Sequence, residues 1–141
     1  MTLYFEDVVE GMDLPPLVKQ PTTRQLAQYA GASRDFYEIH YDKDFAQSNG
    51  LDGVILHGAL KNAFLGQLVT DWIGEEGTLK KLSVTYRGMD IPGVPATCKG
   101  RVTRKYEKDG ENLLDCLIWV ENASGEVTTP GSATVSLPSR S

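Results

Sequence analysis

Hydrophobic positions in this chain change their period part-way along it. From Gly58 onward Leu60, Phe64, Leu65, Leu68, Val69, Trp72 and Ile73 recur at helical spacing. They predict a long helix with a broad apolar face, stopped by Gly74. Gly66 falls inside it and costs about 1 kcal/mol against alanine. That points either to close approach of another helix or a ligand, or to tight packing. Further on, Leu82, Val84 and Tyr86 alternate with Ser83, Thr85 and Arg87, which predicts a half-buried strand. Pro92, Gly93 and Pro95 make residues 89–95 a bend or loop. Strands over 96–107 and 113–121 flank Lys108-Asp109-Gly110-Glu111, the strongest hairpin signal in the chain. A second turn, Asn122-Ala123-Ser124-Gly125, leads into a last strand with Ala133, Val135 and Leu137 inward. Residues 138–141 read as a loose tail.

The first part of the chain is less regular. Residues 3–20 predict a short strand and a loop containing Pro15-Pro16. Thr22 then caps a short helix, with Gln25 completing a capping box. Leu26 and Ala30 share one face of that helix and Gly31 ends it. Residues 33–56 read as an ordered, irregular excursion holding one short helix near 43–47, with Asp42 and Asp44 as its capping pair. A connection this long inside a compact domain is functional or disordered, and its tyrosines, Phe36, Ile39 and Phe45 argue against disorder.

One long helix followed by a meander of strands is an α+β arrangement, a helix layered on an antiparallel sheet. The 141 residues suit a single domain, 1–141, around one core. At 40% hydrophobic and 23% charged the composition is that of an ordinary soluble domain. A net charge of −5 supplies no global basic field for nucleic acid, so an anionic ligand needs a local patch or backbone dipoles. No apolar run approaches about eighteen residues, so no membrane span is expected. The start, MTLYFEDVVEG, lacks the basic region of a signal peptide, which points to the cytoplasm. A two-residue hairpin at Asp109-Gly110 sets Cys98 opposite Glu121 and Cys116 opposite Thr103. On that register the two cysteines do not pair, and they read as half-buried thiols in a reducing compartment.

The residue types that carry chemistry crowd between Ser33 and Leu60. That stretch holds Asp35, both histidines (His40 and His57) and Gly58, where the long helix begins. An acid, an imidazole and the N-terminus of a buried helix are the components of an acid/base site acting on a carbonyl compound.

The run Asp35-Phe36-Tyr37-Glu38-Ile39-His40-Tyr41-Asp42, then Phe45-Ala46, then Leu56-His57-Gly58-Ala59-Leu60, resembles the motif of the MaoC-like, R-specific enoyl-CoA hydratases. That motif reads D-x-N-P-[IL]-H-x-D with a later H-G. Tyr37-Glu38 stands here in place of the usual Asn-Pro. The resemblance implies a hot-dog fold, a curved antiparallel sheet wrapped around one long central helix. It also implies an enzyme that reversibly hydrates a trans-2-enoyl-CoA to the (R)-3-hydroxyacyl-CoA. By this resemblance Asp35 and His40 are the catalytic pair holding the water, and the Gly58 amide faces the thioester oxygen. If the missing Asn orients the pair or the substrate, Tyr37 does so here through its hydroxyl or the site is looser, and His57 bonds the loop near the helix start. The expected partners are an acyl-CoA substrate and a second hot-dog chain, as a homodimer or heteromer, since an exposed sheet edge invites pairing. The Arg34-Asp35-Phe36 opening and the Tyr37-Glu38 departure also resemble hydratase subunits that act on bulky acyl-CoA esters such as steroid side chains.

Other readings remain open. A hot-dog thioesterase needs an acid on the central helix, which offers only Asp71. A non-catalytic acyl-CoA-binding or structural subunit would not need both Asp35 and His40. Among cofactors none is expected. His40, Asp42 and Asp44 are suitable metal-ligand types, but they lack calcium-loop or HExxH spacing, and neither a Walker loop nor GxGxxG is present. Lys80, Lys81, Arg87, Arg101, Arg104 and Lys105 lie on or beside predicted strands, as candidate contacts for coenzyme A phosphates or as solvated charges.

Overall fold

The computed structural model describes residues 2–141. Among the described residues three helices and five strands alternate unevenly: β1 (Leu17–Lys19), α1 (Thr23–Ser33), α2 (Lys43–Ser48), α3 (Gly58–Ile73), β2 (Thr78–Val84), β3 (Ala96–Lys108), β4 (Glu111–Glu121) and β5 (Val127–Ser136). Short 3-10 turns at Phe5–Asp7 and Glu38–His40 complete the elements. The strands form one curved antiparallel sheet in the order β1-β3-β4-β5-β2. The helix α3 packs against β2, β3, β4 and β5.

The period of 3.6 read from residue 58 onward is what fills this sheet. Phe64, Leu65, Leu68, Val69 and Ile73 of α3 are buried in one cluster with Val102, Leu114, Cys116, Ile118, Val120, Ala133 and Val135. Each Leu, Ile, Val or Phe among them contributes about 1.5–3 kcal/mol on leaving water. Gly66 faces no crowding: a Cβ there would lie 3.8 Å from Leu82, ordinary contact distance. Gly74, at φ 72°, ends the helix as expected. No described helix is long and apolar enough to cross a membrane.

The Asp109-Gly110 hairpin forms with Lys108 facing Glu111, both turn residues at positive φ (53° and 78°), as a type I′ turn requires. The cysteine register is one residue off the expectation. A bulge at Thr103 leaves it unpaired, so Cys116 faces Val102 and Cys98 faces Val120. Sequence periodicity does not reveal a bulge. Both thiols remain free and buried, and burial pushes each up to about 12. A second bulge, at Lys80, puts Leu79 and Leu82 on the same side of β2. The strand ends at Val84, so Tyr86 is not an inward strand residue but lies beyond it, 52% exposed.

In the first half of the chain Thr22 caps α1 by accepting from the Gln25 backbone, a cap worth about 1 kcal/mol. The helix does not stop at Gly31. It continues to Ser33, whose Oγ donates to the Tyr29 carbonyl, and Arg34 turns the chain in the left-handed region at φ 60°. Asp42 caps α2 by accepting from Phe45 N–H at 3.1 Å.

The basic residues on the strands are mostly engaged within the chain. Lys80 pairs with Glu111, Arg101 with Asp13, and Lys105 donates to the Val8 carbonyl.

Candidate active site

The turn at Arg34 delivers Asp35 to the side of His40. Asp35 Oδ1 accepts from Tyr37 N–H at 3.4 Å, a local turn that leaves Oδ2 free to face inward. The Glu38–His40 turn then brings His40 round so that its Nε2 lies 3.9 Å from Asp35 Oδ2. The carboxylate is 43% exposed and the imidazole 9%. The opposite ring nitrogen of His40, Nδ1, lies 2.8 Å from the Ile55 carbonyl oxygen. A carbonyl can only accept, so Nδ1 carries the proton and neutral His40 presents a bare lone pair at Nε2. Ile55 N–H in turn donates to the Ile39 carbonyl at 3.1 Å. The two ends of the excursion are thus tied at the imidazole.

Two acceptors 3.9 Å apart are too far for a bond to each other, but they suit a bridging water. A water about 2.8 Å from each would see them at an angle of roughly 90°. Both its protons would be bonded, leaving its lone pairs pointing away from the protein.

His57 lies under this pair. Its ring stacks on His40 with centroids 3.9 Å apart at 20°, and Tyr29 meets its edge at 4.8 Å. It is fully buried, and neither ring nitrogen meets a partner at hydrogen-bond geometry. The Asp35 backbone, in the loop, nonetheless lies near enough to act on the ring in the sense of a hydrogen bond, and His57 also supports the site through its ring face. Burial, and then the neighbouring charge of His40, hold its pKa below the usual imidazole value. His57 is also the N-cap residue of α3, but its side chain makes no capping bond. The first helical amides, beginning with Gly58, thus keep their donors without intrahelical partners. They sit one residue from a ring in contact with His40.

Gly58 is needed for a reason absent from the sequence. A Cβ there would lie 3.0 Å from Cζ of Tyr86, whose ring rests against this glycine. Tyr37 also differs from expectation. It reaches the site through its ring, edge-on to His40 at 6.0 Å and to Phe45 at 5.9 Å, and the residue is 52% exposed.

One ligand-type atom from each of Asp35, His40 and His57 falls within 4.8 Å of the others. The set does not suit a metal. Near-parallel stacked rings 3.9 Å apart keep their in-plane lone pairs in separate planes, whereas a metal needs them to converge on one point. Asp42, bound to its own helix, is not in the group. A cleft of about 740 Å³ lies nearby, lined by Tyr41, Lys43, Leu51, Val54, Met89 and Ile91. It includes none of the site residues, though Tyr41 and Val54 adjoin His40 and Ile55 in the chain.

Residues 11–115 match the MaoC-like domain family. The chain belongs to that family. Over 134 residues this MaoC-like chain is 29% identical to the 3-oxo-4,17-pregnadiene-20-carboxyl-CoA hydratase beta subunit of Mycobacterium tuberculosis, covering 94% of this chain and 97% of that one. It is 28% identical over 142 residues to the (R)-specific enoyl-CoA hydratase of Rhodospirillum rubrum, covering 97% and 93%. A shorter match, 35% identical over 78 residues, falls in the fatty acid synthase subunit beta of Aspergillus oryzae, of which the MaoC-like chain spans 4%. Among solved structures, the R-hydratase PhaJ1 of Pseudomonas aeruginosa superposes with a TM-score of 0.87 at 18% identity, over 99% of this chain and 88% of that one. That likeness establishes the hot-dog fold.

Sequence reasoning brought Asp35, Tyr37, His40, His57 and Gly58 of the MaoC-like domain to one place, and the structure gathers all five. It missed Tyr86, Lys61 and Asp90. Lys61 carried a signal: it stands four residues after His57 and four before Leu65, on the buried side of the helix. A lysine there needs a buried partner.

Proposed function

We propose that this MaoC-like chain reversibly hydrates a trans-2-enoyl-CoA to the (R)-3-hydroxyacyl-CoA. The observation that carries the reading is the pair of bare acceptors, Asp35 Oδ2 and His40 Nε2, 3.9 Å apart beside uncapped helical amides. The names of the relatives from M. tuberculosis and R. rubrum support the substrate class.

Hydration requires three acts. The bridging water adds its oxygen to the β-carbon and gives one proton to the pair. The electron pair of the double bond moves towards the thioester, and the Gly58 amide, aided by the dipole of α3, stabilises the oxyanion. A proton from the pair then reaches the α-carbon, so that one water is consumed and nothing else is released. Dehydration runs the same steps backwards.

A thioesterase fits less well. Asp71, the acid on α3, stands thirteen residues after Gly58, about 20 Å along the axis. It accepts a bond from Gln67 instead of facing His40.

We further propose a second hot-dog chain as partner. β2 is a seven-residue edge strand, and Phe36, Tyr37, Tyr86, Met89 and Ile91 all leave apolar surface exposed near the site. The relative named as a beta subunit favours a heteromer as the alternative to a homodimer.

The deciding experiment follows loss of the enoyl-thioester absorbance with the purified chain and identifies the product's configuration. Asp35→Asn and His40→Ala should each lower the rate by at least ~10²-fold while folding is retained. An undiminished rate in either variant refutes the assignment. Release of free thiol without hydration indicates a thioesterase, and turnover only after adding a second chain indicates a heteromer.

A further inference from the structure

The first turn of α3 carries a buried pair that the proposed chemistry leaves unused. Lys61 is 2% exposed, and its Nζ lies 3.1 Å from Asp90 Oδ2 and donates to the Gly88 carbonyl at 3.0 Å. Asp90 is 6% exposed, and its Oδ2 also accepts from Thr128 Oγ1 at 2.6 Å. A buried ion pair is a poor device for stability alone, because desolvating two charges offsets much of their attraction. Its consequence here is geometric.

The pair fixes residues 86–90 against the start of α3. The Asp90 carbonyl accepts from Leu56 N–H at 2.9 Å, while Arg87 and Gly88 N–H both donate to the Thr128 carbonyl at 3.0 and 2.9 Å. The segment is therefore bolted to α3 two residues before Gly58 and three residues after it. Tyr86 opens the segment. Its Cζ, which carries the hydroxyl, is the atom nearest to where a Gly58 Cβ would stand. Tyr86 is half exposed, and besides the backbone of its own segment the Lys61 Nζ, 5.9 Å from the ring centroid, helps to set the ring in place.

We propose that Lys61, Asp90 and Thr128 are positioning residues that hold Tyr86 as a wall beside the Gly58 amide, and that this wall orients the thioester carbonyl. The proposal deepens the hydratase reading and rests on it.

The test compares wild type, Tyr86→Ala and the apolar triple variant Lys61→Met/Asp90→Leu/Thr128→Val. Replacing a buried ion pair by apolar side chains is often neutral for stability, so the triple variant should unfold within a few degrees of wild type. Its kcat should nonetheless fall at least ~10-fold, with KM changed by less than ~3-fold, because the carbonyl is bound but misdirected. Tyr86→Ala alters only a half-exposed side chain, and should fold and lose kcat by about 10-fold at unchanged KM. Wild-type kcat in either variant overturns the proposal. Amide hydrogen exchange reads the bolt without any turnover: Leu56 N–H should exchange at least ~10-fold faster in the triple variant, and unchanged exchange overturns it. If wild type fails to hydrate a 2-enoyl-CoA both alone and with a second hot-dog chain added, the hydratase reading falls, and the exchange result still decides whether the bolt exists.

Discussion

The ring of His57 lies flat on the ring of His40, centroids 3.9 Å apart at 20°. Two cationic imidazoles cannot share that geometry without strong repulsion. The stack therefore favours a neutral His57 beneath the proposed base, in keeping with its depressed pKa, caused by burial first and by His40 second.

That relationship fixes a pH dependence of stability. A histidine whose folded pKa lies below its unfolded value of about 6.5 binds more protons unfolded than folded as pH falls through that value. Stability from His57 is thus complete above about pH 6.5 and is lost below it, at no more than about 1.4 kcal/mol per pH unit. Denaturant titrations across this range should show the slope in wild type and a flatter profile in His57→Phe. The carboxylates of Glu6, held low by Ser139, and of Asp13, held low by Arg101, lose their contribution only at more acidic pH. An equal slope in the variant would assign the effect elsewhere.

Gly58 faces Tyr86 at a distance that leaves no room for a methyl group. In Gly58→Ala the new Cβ would lie 3.0 Å from the ring, which must swing away. Because Tyr86 is half exposed, the melting temperature should move by only a few degrees. Turnover of a 2-enoyl-CoA should drop at least ~10-fold as the methyl crowds the amide. Steady-state kinetics beside a thermal melt tests both halves, and wild-type turnover would show that no oxyanion approaches this amide.

Tyr37 supplies a contact through its ring and not through its hydroxyl. Tyr37→Phe should accordingly retain activity within about 2-fold, whereas Tyr37→Ala removes the edge-on contacts with His40 and Phe45 and should cost about 10-fold or more. A large loss in Tyr37→Phe would instead show that the hydroxyl contacts the substrate.

The sequence exposed those parts of the structure that follow a period. The helix from Gly58 to Ile73, the Asp109-Gly110 hairpin and the inward set Ala133, Val135 and Leu137 all came from spacing of 3.6 or 2 and from one turn dipeptide. Asp35, His40 and Gly58 came from their resemblance to a known motif. What stayed hidden depends on the third dimension. The bulges at Thr103 and Lys80 each add a residue without any compositional mark, and shift every pairing beyond them. The stack of His57 on His40 joins residues seventeen apart, in a fold where the Ile55 carbonyl holds the His40 ring by its Nδ1. Tyr86 escaped because its alternation with Leu82 and Val84 continues past the point where the ladder with β5 stops.

Cys98 and Cys116 illustrate how a local error can leave the larger inference intact. Their register was displaced by the Thr103 bulge, yet each faces a valine across the β3–β4 ladder and neither forms a bridge. Burial pushes both thiols up to about 12, so at pH 8 the thiolate fraction is on the order of 10⁻⁴. Since the thiolate is the reacting species, the folded chain should leave an aromatic disulfide reagent unreacted over minutes, and both thiols should titrate at once in denaturant. Reaction in the folded state should therefore track unfolding, accelerating in a core variant such as Leu65→Ala, which should lose about 2–5 kcal/mol. Leu65 is fully buried in the same cluster as both cysteines, so the loss is felt where the thiols lie. Rapid labelling of the native chain at a rate indifferent to Leu65→Ala would mean that the sheet between β3 and β4 opens locally, independently of the core it covers.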